Sequence, residues 1–308
     1  MNRLASIGIN GTVRVWNIDD GVHLSSGENV SIVPEPPSTR SILCSSTDGN
    51  CLAACRGRII YIWNLNENDS LDVIRTINVG NKSIRSLCMN SDGKRILSGQ
   101  QNGLSYWNIE SGELMWSCST QSDQGMYAVD ISYDGTLVAS SDLNGTVRLY
   151  SAEIGEEICQ FIGHFNDIRS VRFNPGVSKI ASGSNDGIIR IWDIASRTQV
   201  MKLEGHVHFL TDISYSYDGN RLASASCDKT VMVWDMNSGE CLFVLKGHTR
   251  FVFSVSFSSD GSRIASGGDT QIIIWDSVSG SEIMRLNNYD VPVAVVQCLP
   301  SVSDYMLK

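Results

Sequence analysis

A large aromatic residue returns along this 308-residue chain at Trp16, Trp63, Trp107, Tyr150, Trp192, Trp234 and Trp275, at intervals of 41 to 47 residues. Such a period restricts the fold more than any local propensity does, because each repeat must then be one supersecondary unit that buries its apolar face against its neighbours. The text around each aromatic repeats as well. The phrase RLASIGINGTVRVW (3–16) comes back as RLASASCDKTVMVW at 221–234. In the later copy a strand-like run, FLTDISYSYDG (209–219), leads into the phrase; at the start of the chain only Met1 and Asn2 precede it.

Each unit reads as four short strands separated by turn signals, as in FVFSVSF, RIASGG, QIIIWD and EIMRL near the C-terminus. These runs favour β-branched and aromatic residues, and none is long enough for a helix with its own apolar stripe. The first strand is followed by Asp48-Gly49, Asp92-Gly93, Asp134-Gly135, Asp218-Gly219 and Asp260-Gly261, replaced once by Asn174-Pro175-Gly176. A second series, Asn10-Gly11, Asn102-Gly103, Asn144-Gly145 and Asp186-Gly187, lies between the second and third strands. Asp-Gly and Asn-Gly suit tight hairpins because glycine tolerates positive φ. The expectation is an all-β chain in which each unit is a meander.

Composition agrees with a folded chain: 42% hydrophobic and 19% charged residues permit a large core. The formal charge of −9 repels phosphate backbones and no Lys/Arg-rich run offsets it, so nucleic acid is not expected as a direct partner. MNRLASIGIN lacks the sections of a signal peptide, and no apolar run approaches bilayer length. An intracellular protein, cytoplasmic or nuclear, without membrane insertion is expected. The nine cysteines are dispersed, and Cys44, Cys88, Cys159 and Cys298 sit in strand-like runs, which suits buried thiols. Cys51 and Cys55 are the one close pair, and no second Cys or His pair follows at zinc-site spacing.

Gly163-His164, Gly205-His206 and Gly247-His248 each precede a first strand, and Trp192-Asp193, Trp234-Asp235 and Trp275-Asp276 end the third strands. In these dipeptides and their period the chain resembles the WD-repeat β-propeller family. The resemblance implies a seven-bladed β-propeller of four-stranded antiparallel blades over 1–308 as one domain. The opening phrase supplies inner strands of a blade whose first strand is VPVAVVQCLP (291–300), so 3–33 and 291–300 form a composite blade that closes the ring. In this family a His, a Ser or Thr, an Asp and the third-strand Trp form a buried tetrad. Carried over, that implies His164, Ser182, Asp186 and Trp192; His206, Ser224, Asp228 and Trp234; and His248, Ser266, Asp269 and Trp275. The other units lack Gly-His, follow Trp16, Trp63 and Trp107 with Asn, and place Tyr150 for Trp. They are expected to rest on apolar packing and to be softer.

No phosphate loop, HExxH, EF-hand loop or G-x-S-x-G elbow occurs, so no catalytic residue, metal or cofactor is assigned. His208 is read as a surface histidine, and Asp19-Asp20 and Glu156-Glu157 as solvated turn charge. The family resemblance places binding on the face formed by the loops before the first strands and the turns between second and third strands. Aligning first strands puts Arg85, Tyr127, Arg169, Thr211 and Phe253 at corresponding positions there, with Phe209 and Phe251 two residues earlier in their units. Tyr127 and Phe253 fall three units apart in a seven-membered ring, roughly across the channel. Two sites are therefore expected: an aromatic cleft for an Arg or Lys side chain or an apolar anchor of a peptide, and an Arg85/Arg169 clamp for a phosphorylated or acidic segment. The function expected is a monomeric protein-interaction scaffold within a multiprotein complex, with no reaction of its own; the alternative is a propeller enzyme, hydrolase or dehydrogenase, at the channel mouth.

Overall fold

The computed structural model describes residues 3–26, 42–66, 70–80, 83–101, 103–119, 126–287 and 290–299. Asn102 of the second turn series, and residues 27–33 and 300 of the composite blade, lie outside them. Among the described residues, 28 strands form seven four-stranded antiparallel sheets, with no helix. Blade 1 contains Leu43–Ser45, Cys51–Arg56, Ile59–Leu65 and Leu71–Asn78; blade 2 contains Ile84–Met89, Arg95–Gln100, Gly103–Asn108 and Leu114–Ser119. Blade 3 runs through Met126–Ile131, Leu137–Asp142, Thr146–Ser151 and Glu157–Ile162, and blade 4 through Ile168–Phe173, Lys179–Ser184, Ile188–Asp193 and Thr198–Glu204. Blade 5 is Leu210–Tyr215, Arg221–Ser226, Thr230–Asp235 and Cys241–Lys246; blade 6 is Ser254–Phe257, Arg263–Gly267, Ile272–Asp276 and Glu282–Leu286. Blade 7 is composite, because Val293–Leu299 pairs with Arg3–Gly8, which continues to Val13–Asn17 and His23–Ser26. The seven-bladed propeller is closed by this pairing, in register from Arg3 opposite Leu299 to Ser6 opposite Val296 and Ile7 opposite Val295.

The period of the large aromatic has a structural counterpart. In all seven blades the pairing of third and fourth strands shifts register at that residue, as between Ile191 and Trp192 or Val233 and Trp234. A bulge bends the strand and raises its twist. Here it recurs at the outer strand of every blade, beside a side chain that packs between sheets. Alternate residues of the second and third strands are buried between blades: Ala223, Ala225, Val231 and Val233 of blade 5 pack with Val255, Ile264 and Trp275 of blade 6. The closure is of the same kind, with Leu4, Trp16, Ile18, Val293 and Val296 of blade 7 against Ala265 and Ile274 of blade 6.

Each first strand leaves one edge facing the channel, and unpaired edge groups there are costly. Side chains of the preceding blade cap them. Ser86 Oγ accepts from Val129 N (3.1 Å), Asp130 from Phe173 N (2.8 Å), Asp212 from Val255 N (3.3 Å), Ser214 from Phe257 N (3.2 Å), Ser254 from Val296 N (3.3 Å) and Ser256 from Cys298 N (3.0 Å). Asp212 also accepts from Ser170 and Ser254 hydroxyls (2.9 and 2.8 Å) and lies 3.4 Å from Arg172. Burial raises the Asp130 carboxyl pKa, against the opposing pull of Arg172.

The turns after the first strands depart from the sequence reading at one place. Gly135 and Gly219 take φ of +72° there, each donating its N–H to the carbonyl three residues back. In blade 4 that position belongs to Val177 (φ +52°), whose N–H donates to Asn174 O at 2.9 Å, and not to Gly176. Glycine comes one residue early, so a β-branched side chain carries the left-handed conformation.

All nine cysteines are free; Cys44, Cys55 and Cys298 are buried. Burial pushes the Cys51, Cys55 and Cys298 thiols up to about 12. Near neutral pH they stay protonated, which makes them poor nucleophiles. Asp19 and Glu157, read from sequence as solvated turn charge, each meet an arginine: Arg263 at 3.1 Å and Arg148 at 3.1 Å.

Candidate functional site

Three loops that precede first strands are pinned by hydrogen-bonded chains. In blade 4, Trp192 Nε1 donates to Ser182 Oγ (2.8 Å), Ser182 Oγ meets His164 Nε2 (2.8 Å), and His164 Nδ1 meets Asp186 Oδ2 (2.8 Å). Blade 5 repeats this with Trp234, Ser224, His206 and Asp228 at 2.9, 2.8 and 2.7 Å, and blade 6 with Trp275, Ser266, His248 and Asp269 at 2.8, 2.8 and 3.0 Å. One assignment uses every group: tryptophan donates to serine, serine to Nε2, and Nδ1–H to the carboxylate, with a neutral imidazole. Burial lowers the His248 pKa, against its Asp269 neighbour, in keeping with that neutral form. Burial works to raise the pKa values of Asp186, Asp228 and Asp269, but hydrogen bonds from histidine, backbone and, at the latter two, threonine hold all three below the ordinary carboxylate range.

The aspartates do a second task. Asp186 accepts from Phe165 N (3.4 Å), Asp228 from Val207 N (3.2 Å) and Asp269 from Thr249 N (2.9 Å). The residue after each tetrad histidine is therefore fixed through its backbone, while the side chains of Phe165 and Val207 are each 89% exposed. Apolar groups are held out in water on rigid stems.

Two of the four blades without Gly-His, blades 7 and 2, keep part of the chain. Trp16 Nε1 donates to Ser6 Oγ (2.7 Å), and Trp107 Nε1 to Ser98 Oγ (3.1 Å), where the Gln100 amide also approaches at 3.4 Å. In blade 2 the outer-strand Trp116 donates Nε1 to Ala152 O of blade 3 (2.8 Å), a link between blades that the sequence did not signal.

At the channel mouth the aromatic residues gather on blades 5 and 6. Phe209, Phe251 and Phe253 are all exposed, and His208 joins them. The His208 ring lies 4.6 Å from Phe209 and 6.1 Å from Phe251, which meets Phe253 edge-on at 6.5 Å. Thr211 is buried, and its hydroxyl donates to Val252 O (2.6 Å), which makes it a brace beneath the patch. Tyr127 stands apart: the Arg169 guanidinium covers its ring at 4.4 Å and hydrogen-bonds its hydroxyl. Arg169 further donates Nε to Asn185 (2.8 Å) and lies 3.8 Å from Asp167. Arg85 occupies the matching place on blade 2 and is half-buried. The geometry thus brings Phe209, Phe251 and Phe253 together and pairs Tyr127 with Arg169 instead of joining it to them. Sequence reasoning passed over Phe165 and Val207 and read His208 only as a surface histidine; the signal was their place within three residues of a Gly-His.

The family model described as WD domain, G-beta repeat matches residues 112–151, 155–193, 197–235 and 239–276, just over half of the chain. This chain belongs to the WD40-repeat family. The matched WD40 repeats run from the outer strand of blade 2 through the third strand of blade 6 and contain every complete tetrad among the described residues. Meiotic recombination protein rec14 of Schizosaccharomyces pombe is 27% identical over 180 residues, 55% of this chain and 55% of that protein. The WD repeat-containing protein 91 homolog of Dictyostelium discoideum is 24% identical over 189 residues, 58% of this chain and 23% of its own length. Apoptotic protease-activating factor 1 of Homo sapiens is 27% identical over 182 residues, 56% and 14%. The match thus covers about half of the first relative and a quarter or less of the other two. WD40 propellers typically serve as protein-interaction scaffolds in complexes. No helix among the described residues is long and apolar enough to cross a membrane.

Proposed function

We propose that this chain is an interaction platform that captures a segment of a partner protein on the channel-mouth face of blades 4 to 6, and that it carries out no reaction itself. The observation that carries this reading is the exposed cluster of Phe209, His208, Phe251 and Phe253 on a braced rim. Aromatic side chains supply large contact area at small entropic cost, and clusters of them dominate binding energy at interfaces. An apolar anchor suits this patch better than a cation does, because the Tyr127 ring face is already occupied by Arg169. The clamp on Arg85 and Arg169 is the weaker reading for the same reason: Arg169 is already held by Tyr127, Asn185 and Asp167. The scaffold reading is favoured over a catalytic one by the tetrad histidines, whose two ring nitrogens are both engaged.

Affinity capture from cell extract tests the reading, with wild type set against F209A/F251A/F253A and against Y133A/Y217A on the opposite face. Partners lost with the first variant and kept with the second are the predicted result. Partners retained by the triple variant would refute the assignment of this face.

A further inference from the structure

Two basic side chains border the aromatic patch. Arg250 directly precedes Phe251 and is exposed; Lys229, also exposed, belongs to the turn between the second and third strands of blade 5. That turn is bonded to the patch on both sides: Cys227 N donates to Phe209 O (2.9 Å), and Ser226 O accepts from Val252 N (3.1 Å), between Phe251 and Phe253. In blade 4 the place of Lys229 is taken by Gly187, where a Cβ would lie 3.2 Å from His206 O and 3.6 Å from His208 O. Gly145 of blade 3 stands in the same way against His164 O. Each of these turns leans on the loop of the next blade, so Lys229 leans on the loop that carries Arg250.

Among the described residues, neither Lys229 nor Arg250 has a carboxylate oxygen within 4.0 Å or a side-chain hydrogen bond. The acids beside them are engaged elsewhere. Asp228 accepts from His206, Val207 N and Thr230, Asp269 accepts from His248 and Thr249, and Glu204 pairs with Lys202 at 2.5 Å. The exposed Asp290 belongs to the loop of blade 7, beyond the blade 6 turn whose Gly268 O accepts from Val293 N. Arg169, on the same face in blade 4, is held by Asp167 and Asn185. Accessible cations therefore meet exposed aromatic rings at the seam of blades 5 and 6.

We propose that the segment captured at this seam is acidic: its apolar anchor seats among Phe209, Phe251 and Phe253, and Asp or Glu side chains next to the anchor pair with Lys229 and Arg250. The net charge of −9 opposes an acidic partner at long range. Exposed charges more than about 8 Å apart are largely screened at physiological ionic strength, however, so the two cations at the rim of the patch decide. The same two cations work against a Lys- or Arg-rich segment, and rim charges of this kind select a partner more than they add affinity. This inference rests on the capture reading above and narrows it from any apolar segment to one flanked by carboxylates.

Random linear peptides displayed on phage, selected on the full chain and then measured against K229G/R250Q and F209A/F251A/F253A, test it. Lys229→Gly installs the residue that blades 3 and 4 carry there, with φ of +73° at Lys229 against +78° at Gly145 and +80° at Gly187, so the Tm should not fall. Peptides selected on wild type should join a large apolar residue to nearby Asp or Glu and bind K229G/R250Q about three- to tenfold more weakly, a difference that closes at high salt. They should not bind F209A/F251A/F253A. Selected peptides with neutral or basic flanks, or acidic peptides held equally by K229G/R250Q, would overturn the acidic partner while leaving the docking face in place. Peptides held equally by F209A/F251A/F253A would overturn both.

Discussion

The hydroxyl at the centre of each tetrad serves two partners, so its loss strands both. Ser224→Ala leaves Trp234 Nε1 without an acceptor and His206 Nε2 without a donor in a fully buried setting. We expect a loss of about 1–3 kcal/mol, seen as a lower urea midpoint by tryptophan fluorescence. Titration of the same groups predicts a pH profile. His248 has a folded pKa below the ordinary value of 6.5, so as pH falls through that value the unfolded chain takes up the proton first and stability drops. Asp186, Asp228 and Asp269 are depressed below 3.8, so their stabilisation is present above about pH 4 and is lost as pH falls through the folded values. Urea midpoints should therefore decline from near pH 6.5 and more steeply below pH 4, with His248→Gln removing the upper limb. A profile flat down to pH 5 in wild type would contradict the neutral-histidine assignment. Val177 offers a test of opposite sign: Val177→Gly relieves a left-handed β-branched residue and should gain about 1 kcal/mol, whereas Gly135→Val at the matching turn of blade 3 should cost about as much.

Among elements, the caps on the inner strands matter most, and Asp212 is their centre. Asp212→Ala removes the acceptor for Val255 N and for two serine hydroxyls, at a cost of about 2–3 kcal/mol. Hydrogen exchange should then accelerate first at Ile213 and Val255, whereas a uniform acceleration would mean the cap has no local role. The strands and their order were legible because Trp spacing, turn dipeptides and Gly-His pairs all carry the same period, and each is a local signal. The turn at Val177 was not: Asn174-Pro175-Gly176 looks like Asp-Gly in composition, and only counting hydrogen bonds shows the glycine one residue early. Nor was the place of Gln199: the bulge at Trp192 brings it, not the next residue along, opposite the indole. Alignment alone places Phe209, Phe251 and Phe253 at one rim, but it set Phe253 opposite Tyr127 and gave no sign that the three phenylalanines meet around His208. The pairing of Tyr127 with Arg169 was not, because it joins different blades through side chains 42 residues apart.

For the molecule as a whole, closure places the two chain ends in one sheet, and rigidity of the rim follows from it. Removing residues from 291 onward exposes the edge of Arg3–Gly8 and uncovers Ala265, Ile274 and Trp16. Such a chain should bind an apolar dye and melt at a lower temperature than the closed ring; an unchanged melt would mean the ring does not need that strand. With the ring closed, the apolar side chains of blades 4 to 6 share one face, and Tyr133 and Tyr217, hydrogen-bonded at 2.9 Å, lie on the other. The most direct test places a photo-reactive benzophenone side chain at Phe251 or, in a second variant, at Tyr217, and irradiates each protein in complex with its captured partner. Cross-links to the partner from position 251 and none from 217 are predicted. Cross-links from 217 alone would contradict the account.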